Sequence, residues 1–415
     1  MTQPADFLLT GAGELLTLDP SLGEGPLGLI RGGALAALSR KIVWVGKTAR
    51  AHKAVWLLKE GSEVDARGRV VLPGFVDSHT HAVFSGSRER EFAQRIAGAT
   101  YQEIAAAGGG ILSTVNATRD ATADELVALA GRRLDLALQH GTTTLEVKSG
   151  YGLTTADEIK MLEAIRVLQD SHPVELHATF CGAHEVPPEF KGNADGYVDL
   201  VVDEMLPAVA EKKLAEYCDV FCEEGVFSVE QARRILLAGV RYGLRAKFHA
   251  DEFTPTGGAE LAAEVVALSA DHLLHARLDG IRAMQEAGVT ATLLPGTAFF
   301  LGLPYAPARA FLETGVRVAL ATDFNPGSSY TPNMQLILTL ACTQMRLTVE
   351  EAVEAATLNG AYAMGLQGRI GSLTADKQCD LIVLDLPSYY HLPYLFGVNH
   401  VQTVVKGGQV VWSRE

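Results

Sequence analysis

The stretch "VLPGFVDSHTHAVFSG", Val71–Gly86, decides how this sequence is interpreted. Its apolar first half predicts a strand from Val70 to Val76, and the segment that follows carries His79 and His81. Alternate residues of an extended strand project from the same face, so both imidazoles point in one direction at a strand end. Two imidazoles are costly to bury without a partner. The stretch therefore predicts that both histidines bind one metal ion.

Composition limits the kinds of protein that this chain can be. Its 415 residues are 48 % hydrophobic and 20 % charged, which is typical of a globular protein with one large or two smaller domains. The formal net charge of −14 argues against nucleic acid as a partner, because phosphate binding requires a basic surface. For the same reason, an anionic small substrate would require a local cationic group.

The cysteines and the apolar runs bear on localisation. Five cysteines without CxxC spacing predict free thiols in a reducing compartment, and we expect Cys218 and Cys222 to be buried small side chains rather than metal ligands. No apolar run approaches the roughly 18 residues that cross a bilayer. The amino-terminal residues lack the pattern of a secretory signal. We therefore expect a cytoplasmic protein without a membrane partner.

The two ends of the chain share a pattern of short apolar strands separated by turns. "ALAALSRKIVWVGK" near the amino terminus and "TVVKGGQVVWS" near the carboxyl terminus both predict hairpins. Neither end supplies enough strands for two-layer packing by itself. The sequence therefore predicts one small, discontinuous β-sandwich domain built from residues 1–70 and 366–415.

Residues 71–365 alternate longer helical segments with short apolar strands. The amphipathic segment "ADELVALAGRRLDLALQHG" followed by "TTTLEVKSG" is one example of the repeated helix-then-strand order. This order predicts an α/β fold with parallel strands, and the length suits a TIM-like (β/α)8 barrel of about 250 residues with insertions. An open doubly wound sheet is the alternative, but no GxGxxG motif follows a first strand.

The predicted strand ends carry most of the residues with reactive side chains. In a (β/α)8 barrel the active site lies at the carboxyl ends of the strands. His249 ends the strand in "RAKFHADEF", His272 lies in "SADHLLHA", and Asp323 ends "VRVALATD". Together with His79 and His81, His249 and Asp323 form a ligand set for one transition metal, zinc or iron, with an open position for water.

Two further residues at these strand ends suit proton transfer. Glu252 follows His249 by three residues, where it can lie beside the metal without binding it. There it could accept a proton from a metal-activated water and pass it to a leaving nitrogen. His272 could stabilise the developing oxyanion, and Asp323 could both bind the metal and accept a hydrogen bond from the water.

Several motifs also carry a family resemblance that covers nearly the whole chain. "PGFVDSHTH", "FHADE", "SADHL" and "ATDFNPGSS" resemble the amidohydrolase superfamily in its single-metal form. "YQEIAAAGGGI", "EVKSGYGL", "FCGAHEVP" and above all "TDFNPGSS" resemble the imidazolonepropionase family within it. The HxH motif alone indicates only the superfamily. The four further segments, in this order, point to the narrower family.

The resemblance implies a reaction and a set of site residues. The reaction is hydrolysis of the cyclic amide of 4-imidazolone-5-propanoate to N-formimidoyl-L-glutamate, the third step of histidine degradation, in a homodimer with one zinc or iron ion per chain. The implied metal ligands are His79, His81, His249 and Asp323, and the implied catalytic residues are Glu252, His272 and Asp323. The implied substrate-binding residues are Arg88, Tyr151, His184, Glu252, Asn325, Gly327 and Ser328.

The implied substrate explains residues that would otherwise be assigned to loops. Its propionate suits the guanidinium of Arg88, which follows the first barrel strand. Tyr151 and His184 each follow a strand and could reach ring heteroatoms. "NPGSS", residues 325–329, predicts a turn whose backbone N–H groups and hydroxyls could bind the carboxylate or the oxyanion.

Three alternatives remain open at this point. A two-metal site could use Lys148 as a carboxylated bridging ligand together with His177. A guanine-type deaminase of the same superfamily would use the same metal apparatus and differ only in pocket residues. A non-catalytic scaffold of this superfamily would be expected to lack metal ligands, whereas every ligand position is filled here.

Overall fold

The computed structural model describes residues 2–99, 103 and 109–414, whose strands form two separate sheets. The strands are β1 (Gln3–Leu16), β2 (Leu29–Leu38), β3 (Lys41–Lys47), β4 (Val55–Asp65), β5 (Val70–Pro73), β6 (Phe75–Asp77), β7 (Thr142–Lys148), β8 (Glu175–Ala183), β9 (Tyr217–Cys222), β10 (Arg245–Ala250), β11 (Ser269–His272), β12 (Thr290–Leu293), β13 (Val318–Leu320), β14 (Leu381–Leu384), β15 (Val401–Lys406) and β16 (Gln409–Ser413).

The α-helices of the described ranges lie mostly between the barrel strands. They are α1 (Ala51–Ala54), α2 (Glu89–Ile96), α3 (Ile111–Asp120), α4 (Ala123–Gln139), α5 (Thr155–Ser171), α6 (Ala194–Leu200), α7 (Leu206–Lys212), α8 (Val229–Arg241), α9 (Gly258–Glu264), α10 (Leu278–Ala287), α11 (Pro295–Leu301), α12 (Ala308–Thr314), α13 (Met334–Met345), α14 (Val349–Ala355), α15 (Leu358–Ala363) and α16 (His391–Tyr394).

Strands β6 to β13 form a parallel barrel in chain order. The first and last strands meet just beyond their carboxyl ends, where the Asp323 N–H donates to the His79 carbonyl at 3.0 Å and the His81 N–H donates to the Phe324 carbonyl at 2.9 Å. The predicted (β/α)8 barrel is therefore confirmed, and the open doubly wound sheet is excluded. The same closure brings the HxH motif next to the Asp323 segment.

Helix α4 shows how local sequence fixes the barrel's covering layer. The Thr122 hydroxyl oxygen accepts from the Glu125 N–H, and the Glu125 carboxylate accepts from the Thr122 N–H, in a capping box. The helix buries Leu126, Leu134 and other apolar side chains against the barrel, together with Arg133, whose guanidinium donates to the Ala82 and Phe84 carbonyls; its other charged residues are exposed. The amphipathic pattern therefore predicted both the element and the face that packs.

The second sheet joins both ends of the chain, as predicted. Its strand order is β16-β15-β14-β5-β1-β2-β3, and β4 pairs with β1. The predicted hairpins are β2–β3 and β15–β16, both antiparallel. The edge strand β3 also contacts the segment just before β14. The Ile42 N–H donates to the Lys377 carbonyl and the Cys379 N–H donates to the Arg40 carbonyl, each at 2.8 Å, so the sheet curls. The division of the chain into two domains stays a prediction.

The chain passes from this sheet to the barrel at Gly74. The apolar run before the HxH motif is two strands, β5 in the chain-end sheet and β6 in the barrel, rather than one. A Cβ atom at Gly74 would lie 2.2 Å from the Thr143 side chain, so a larger residue could not make this crossing without displacing its neighbour. The pattern of apolar residues cannot reveal such a change of sheet.

A buried polar cluster joins the two sheets at the end of the barrel where strands begin. The Lys406 ammonium in β15 donates to Asp380 Oδ2 at 2.8 Å and to Glu175 Oε2, in β8, at 2.9 Å. His177, also in β8, pairs through Nδ1 with Glu216 at 2.7 Å and through Nε2 with Glu175 at 3.1 Å. Charged groups therefore form part of the contact between the sheets.

The predictions for cysteines and for membrane segments can be compared with the described residues. All five cysteines are free, and Cys218 and Cys222 are buried in β9 as apolar neighbours, which confirms their interpretation as small core residues. Among the described helices, none is both long and apolar enough to cross a bilayer.

Candidate metal centre and active site

Four predicted ligands meet at the carboxyl ends of the barrel strands. The Nε2 atoms of His81 and His249 lie 3.3 Å apart, although their strands β6 and β10 are on opposite sides of the barrel. Asp323 Oδ1 lies 3.5 Å from His79 Nε2 and 3.8 Å from His81 Nε2. All four side chains are almost completely buried. The fold therefore gathers three imidazoles and one carboxylate around a common point.

Two buried aspartates orient two of these histidines. His79 Nδ1 lies 2.6 Å from Asp271 Oδ2, and His249 Nδ1 lies 2.8 Å from Asp219 Oδ1. Because an ionised carboxylate only accepts hydrogen bonds, each Nδ1 carries the proton and each Nε2 presents a lone pair toward the other imidazoles. Carboxylates behind histidine ligands are a common feature of protein metal sites.

The unpaired buried atoms at this point fit a metal ion. His79 Nε2 and His81 Nδ1 have no hydrogen-bond partner among the described residues, and both nitrogens of His272 also lack one. Donor atoms of His79, His81 and Asp323 lie within 4.8 Å of one another, as do those of His79, His249 and His272. Imidazole nitrogens and a carboxylate oxygen suit zinc or iron. The residues present therefore fit a single transition metal.

Glu252 and His272 stand together beside this cluster. Glu252 Oε1 lies 3.5 Å from His272 Nδ1, and the His272 ring stacks on the His249 ring with centroids 5.1 Å apart. Burial, with a further contribution from Asp323 and Glu223, raises the pKa of the Glu252 carboxyl well above its ordinary value. Burial, followed by the neighbouring His249, lowers the pKa of His272 well below its ordinary value. Both groups are thus placed where proton transfer can occur.

The backbone at the site adopts a conformation that side chains rarely take. His272 has φ of 75° and Asp323 has φ of 50°, both in the left-handed region. Such positions cost free energy and persist where the surrounding structure enforces them, as is common at functional sites. His272 is the last residue of β11 and Asp323 follows β13 by three residues, so both lie at the carboxyl ends of the barrel strands.

Carboxylates hold the loop that carries Glu252. Glu223 Oε2 accepts from the Phe253 N–H at 2.9 Å, and Glu223 Oε1 accepts from the Thr254 hydroxyl. Asp251 accepts from three successive backbone N–H groups at the start of α9, each at 3.0 Å. The short segment after β10 is therefore fixed on both sides of Glu252.

A cavity opens above the cluster and contains the predicted substrate-binding residues. Its volume is about 610 Å³, which is enough for a small-molecule ligand. Its lining includes the metal-site and proton-transfer residues together with Arg88, Tyr151, His184, Asn325, Gly327 and Ser328. The structure thus places every predicted site residue except the fully buried His79 in the wall of one cavity. Their individual roles stay predictions.

His184 and Tyr151 form the aromatic side of the cavity. The His184 ring stacks on the His81 ring with centroids 4.7 Å apart, and its Nδ1 lies 3.0 Å from the Gly150 carbonyl, to which it donates. Burial, followed by the neighbouring His249, lowers the pKa of His184 to about 3, so the ring is neutral. The Tyr151 ring lies 5.7 Å from that of His81. Both side chains border the point where the ligand atoms converge.

Arg88 is held in place by Glu91 and by a glycine. Its Nε donates to Glu91 Oε2 at 2.8 Å. A Cβ atom at Gly327 would lie 2.2 Å from Arg88 Nη1, so the absence of a side chain there admits the guanidinium. This contact joins the segment after β6 to the loop after β13, two parts of the sequence far apart in the chain.

Hydrogen bonds within the loop 325–329 correct one expectation. Asn325 Oδ1 accepts from the backbone N–H groups of Gly327 and Ser328, both at 2.8 Å. These amides are therefore not free to bind a carboxylate or an oxyanion, as the turn prediction had suggested. Asn325 Nδ2 donates to Ser328 Oγ at 2.8 Å, which leaves the Ser328 hydroxyl proton for a ligand. The loop contributes side chains and shape rather than these two amides.

The geometry does not support the two-metal alternative. The Lys148 ammonium donates to Glu146 Oε1 at 2.7 Å and to Asp219 Oδ2 at 2.6 Å, so it is paired as a cation. His177 lies near the start of β8, at the end of the barrel opposite the cavity, and is paired with Glu175 and Glu216. His177 belongs to none of the clusters of possible metal donors among the described histidines, cysteines and carboxylates.

Sequence reasoning missed several residues around the site. Asp219 is one of them, although a single carboxylate within the apolar run "YCDVFC" is a signal for a buried charge with a partner. Arg95 is another: it lines the cavity, its Nη2 donates to the Gly327 carbonyl at 3.3 Å, and its guanidinium lies 5.1 Å from the Phe300 ring centroid. The motif segment 101–111 lies mostly outside the described residues.

Comparison with protein families agrees with this architecture. Residues 70–411 match the model of the amidohydrolase family. Solved structures with the same fold include the guanine deaminase of E. coli, with a TM-score of 0.73, 17 % identity and 99 % of each chain covered. They also include a zinc-bound adenosine deaminase of Xanthomonas campestris, with a TM-score of 0.69, 19 % identity and coverage of 99 % of this chain and 93 % of that one. The chain therefore belongs to the amidohydrolase family.

Curated relatives assign the chain to a narrower family. The imidazolonepropionase of Geobacillus kaustophilus is 52 % identical over 93 % of this chain and 91 % of that protein. The imidazolonepropionase of Symbiobacterium thermophilum is 51 % identical over 99 % of this chain and 98 % of that protein. Within the amidohydrolase family, this identity over nearly the full length places the chain among the imidazolonepropionases.

Proposed function

We propose that the protein hydrolyses the cyclic amide C–N bond of 4-imidazolone-5-propanoate and forms N-formimidoyl-L-glutamate, the third step of histidine degradation. The observation that carries this proposal is one cavity in which Arg88 faces a cluster where His81 Nε2 and His249 Nε2 lie 3.3 Å apart. The cluster suits a metal, and the guanidinium suits the propionate. The name that the relatives share, at 51 and 52 % identity, supports the same reaction.

The metal in this proposal is zinc or iron, one ion per chain. His79, His81, His249 and Asp323 would hold it, since donor atoms of His79, His81 and Asp323 lie within 4.8 Å of one another and His249 Nε2 lies 3.3 Å from His81 Nε2. When bound, such a metal supplies Lewis acidity that activates water for hydrolysis near neutral pH. Asp219 and Asp271 keep two of the histidines turned toward it.

Glu252 moves the proton in this proposal. Water adds to the ring carbonyl carbon, the adjacent C–N bond breaks, and the ring nitrogen leaves with a proton. The Glu252 carboxylate accepts a proton from the attacking water and delivers one to that nitrogen, because it lines the cavity beside His272. His272 donates an N–H to the developing oxyanion, and Asp323 accepts a hydrogen bond from the water.

The remaining cavity residues orient the substrate. Arg88 binds the propionate through the guanidinium face that Glu91 leaves free. Tyr151 and His184 border the position of the ring, and the Ser328 hydroxyl, held by Asn325, donates to the substrate. Gly327 keeps space for Arg88. An anionic substrate thus meets a cation inside a protein whose formal net charge is −14.

The experiment that tests this proposal compares two substrates on the same metal-loaded protein. We expect absorbance of 4-imidazolone-5-propanoate to fall without release of ammonia, at about one metal per chain. Ammonia release from guanine, without turnover of the imidazolone, would favour the guanine-type deaminase, which shares the metal apparatus but does not need Arg88. Inertness toward both substrates in metal-loaded protein would favour a non-catalytic scaffold.

We also propose a compartment, an oligomeric state and the absence of a nucleic-acid partner. The protein is a cytoplasmic homodimer that binds no nucleic acid. Free cysteines and the negative net charge support the compartment and the absence of a nucleic-acid partner. Exposed aromatic residues clustered near α16, Tyr390, Tyr394 and Phe396, support an association surface. Analytical ultracentrifugation of the metal-loaded protein tests the dimer, and a monomer at micromolar concentration would contradict it.

A further inference from the structure

A cluster of fully buried charges lies in the barrel behind the candidate metal centre. We define the Lys148 cluster as Lys148, Glu146, Asp219 and Asp271, whose side chains are all inaccessible to solvent. The Lys148 ammonium lies 2.7 Å from Glu146 Oε1, 2.6 Å from Asp219 Oδ2 and 3.8 Å from Asp271 Oδ2. One cation therefore faces three carboxylates.

Two of those carboxylates are the ones that orient the histidines. Asp219 accepts from His249 Nδ1 through Oδ1 and from Lys148 through Oδ2. Asp271 Oδ2 accepts from His79 Nδ1 and also faces Lys148. The ammonium is thus hydrogen-bonded to the carboxylate that binds His249, and among the described hydrogen bonds and ion pairs no other lysine contacts Asp219.

We propose that Lys148 is a positioning residue for the metal centre: its ammonium, 2.6 Å from Asp219 Oδ2, holds Asp219 in the orientation that turns His249 Nε2 toward the metal. The inference rests on the proposed function, since it requires a metal there. Charge-assisted hydrogen bonds are short and directional, so they fix a carboxylate more firmly than a neutral donor does. Substitution of a residue that hydrogen-bonds or orients a metal ligand typically lowers metal affinity 10- to 100-fold, so we expect an effect of that order.

A second buried lysine provides the matched control. The Lys247 ammonium donates to Ser269 Oγ at 2.8 Å and to the Ser78 and Ala363 carbonyls at 3.2 Å each. Its distance to Asp271 Oδ2 is 3.9 Å, and it has no contact with Asp219 among the described hydrogen bonds and ion pairs. It is as buried as Lys148 but is bound mainly to neutral groups. Lys247→Met therefore reports the general cost of removing a buried ammonium.

The test is zinc affinity measured by competition with a chelating dye. Because Lys148→Met alone would leave the buried carboxylates of Glu146 and Asp219 without their shared cation, the main variant is the charge-balanced pair Lys148→Met with Glu146→Gln. We expect its zinc Kd to rise about 10- to 100-fold, whereas Lys247→Met and Glu146→Gln alone stay within about threefold of the unmodified protein. A Kd within about threefold for the main variant, or an equal rise for Lys247→Met, would overturn the proposal.

Two further readouts separate positioning from a structural role. In cobalt-substituted protein, the visible bands should shift in the Lys148→Met/Glu146→Gln variant and not in Lys247→Met. The variant that combines Asp219→Asn with the main variant should have a zinc Kd little above that of Asp219→Asn by itself, because both changes act through the same carboxylate. Fully additive effects, or unchanged cobalt bands, would overturn the inference. Absence of zinc binding by the unmodified protein would instead contradict the proposed function.

Discussion

His81 Nε2 lies 3.3 Å from His249 Nε2, although 168 positions separate the two residues in the chain. Both rings are buried, and imidazole nitrogens at this separation suit a shared metal ion.

Loss of His249 should remove the metal. His249→Ala deletes one metal donor and the imidazole partner of Asp219. We therefore expect less than about a tenth of the metal of the unmodified protein, since each ligand contributes strongly to affinity. Elemental analysis after dialysis measures this. His140→Ala, far from the cavity lining, serves as the control, and full metal content in His249→Ala would rule out its role as a ligand.

Glu252→Gln should separate metal binding from turnover. The substitution keeps the shape of the side chain but removes its ability to accept a proton, so kcat should fall about 10²- to 10⁴-fold. The metal content should remain at about one per chain. Stopped assays with 4-imidazolone-5-propanoate give kcat, and full turnover in this variant would exclude Glu252 as the proton carrier.

Arg88 and Gly327 should act together on substrate affinity. Arg88→Gln removes the guanidinium, and Gly327→Ala places a Cβ atom 2.2 Å from Arg88 Nη1 and so displaces it. Both should raise KM more than they lower kcat. The rise in KM should correspond to about 1.5–3 kcal/mol of lost binding free energy, as expected for a hydrogen bond to a charged group. Steady-state kinetics at several substrate concentrations measure the separate changes in KM and kcat.

The same pair offers an internal check. In the double variant, Gly327→Ala should add little to Arg88→Gln, because the side chain with which the new methyl group clashes is shortened. Independent, additive losses would mean that Gly327 acts on the substrate directly. Unchanged KM in Arg88→Gln would contradict the placement of the propionate.

His177 should make stability depend on pH. Burial opposes its charge, but the hydrogen bonds that its ring donates to Glu175 and Glu216 prevail and raise its pKa above the ordinary value of 6.5. A group with a raised pKa in the folded state stabilises fully below pH 6.5 and loses that contribution as the pH rises through the folded pKa. Relative to His177→Gln, the unmodified protein should therefore be more stable at low pH, and its advantage should shrink as the pH increases.

Urea unfolding of the metal-loaded proteins from pH 6 upward measures this difference, with the exposed His52→Gln as control. A stability advantage of the unmodified protein that grows with pH would show that His177 is neutral in the folded state. This position is at the opposite end of the barrel from the metal centre, so the effect should appear without a change in metal content.

The sequence predicted the fold and the ligand set because both have local signals. Helix-then-strand alternation indicates parallel strands, and HxH at a strand end indicates two imidazoles on one face. It did not predict that Val71 and Phe75 belong to different sheets, because the change depends on the close contact of Gly74 with Thr143. Nor did it indicate Asp219, Arg95 or the self-bonded loop at Asn325, since their partners are distant in the chain or compete with the expected ligand.

The most direct test of the account is hydrolysis in ¹⁸O-labelled water with metal-loaded and chelator-treated protein. We predict that the metal-loaded protein converts 4-imidazolone-5-propanoate to an open-chain product with one labelled oxygen in its new carboxylate, and that the chelator-treated protein does not until metal is restored. Mass spectrometry of the product and its fragments locates the label. Equal turnover without metal, or a product that has lost ammonia instead of gaining water, would contradict the account.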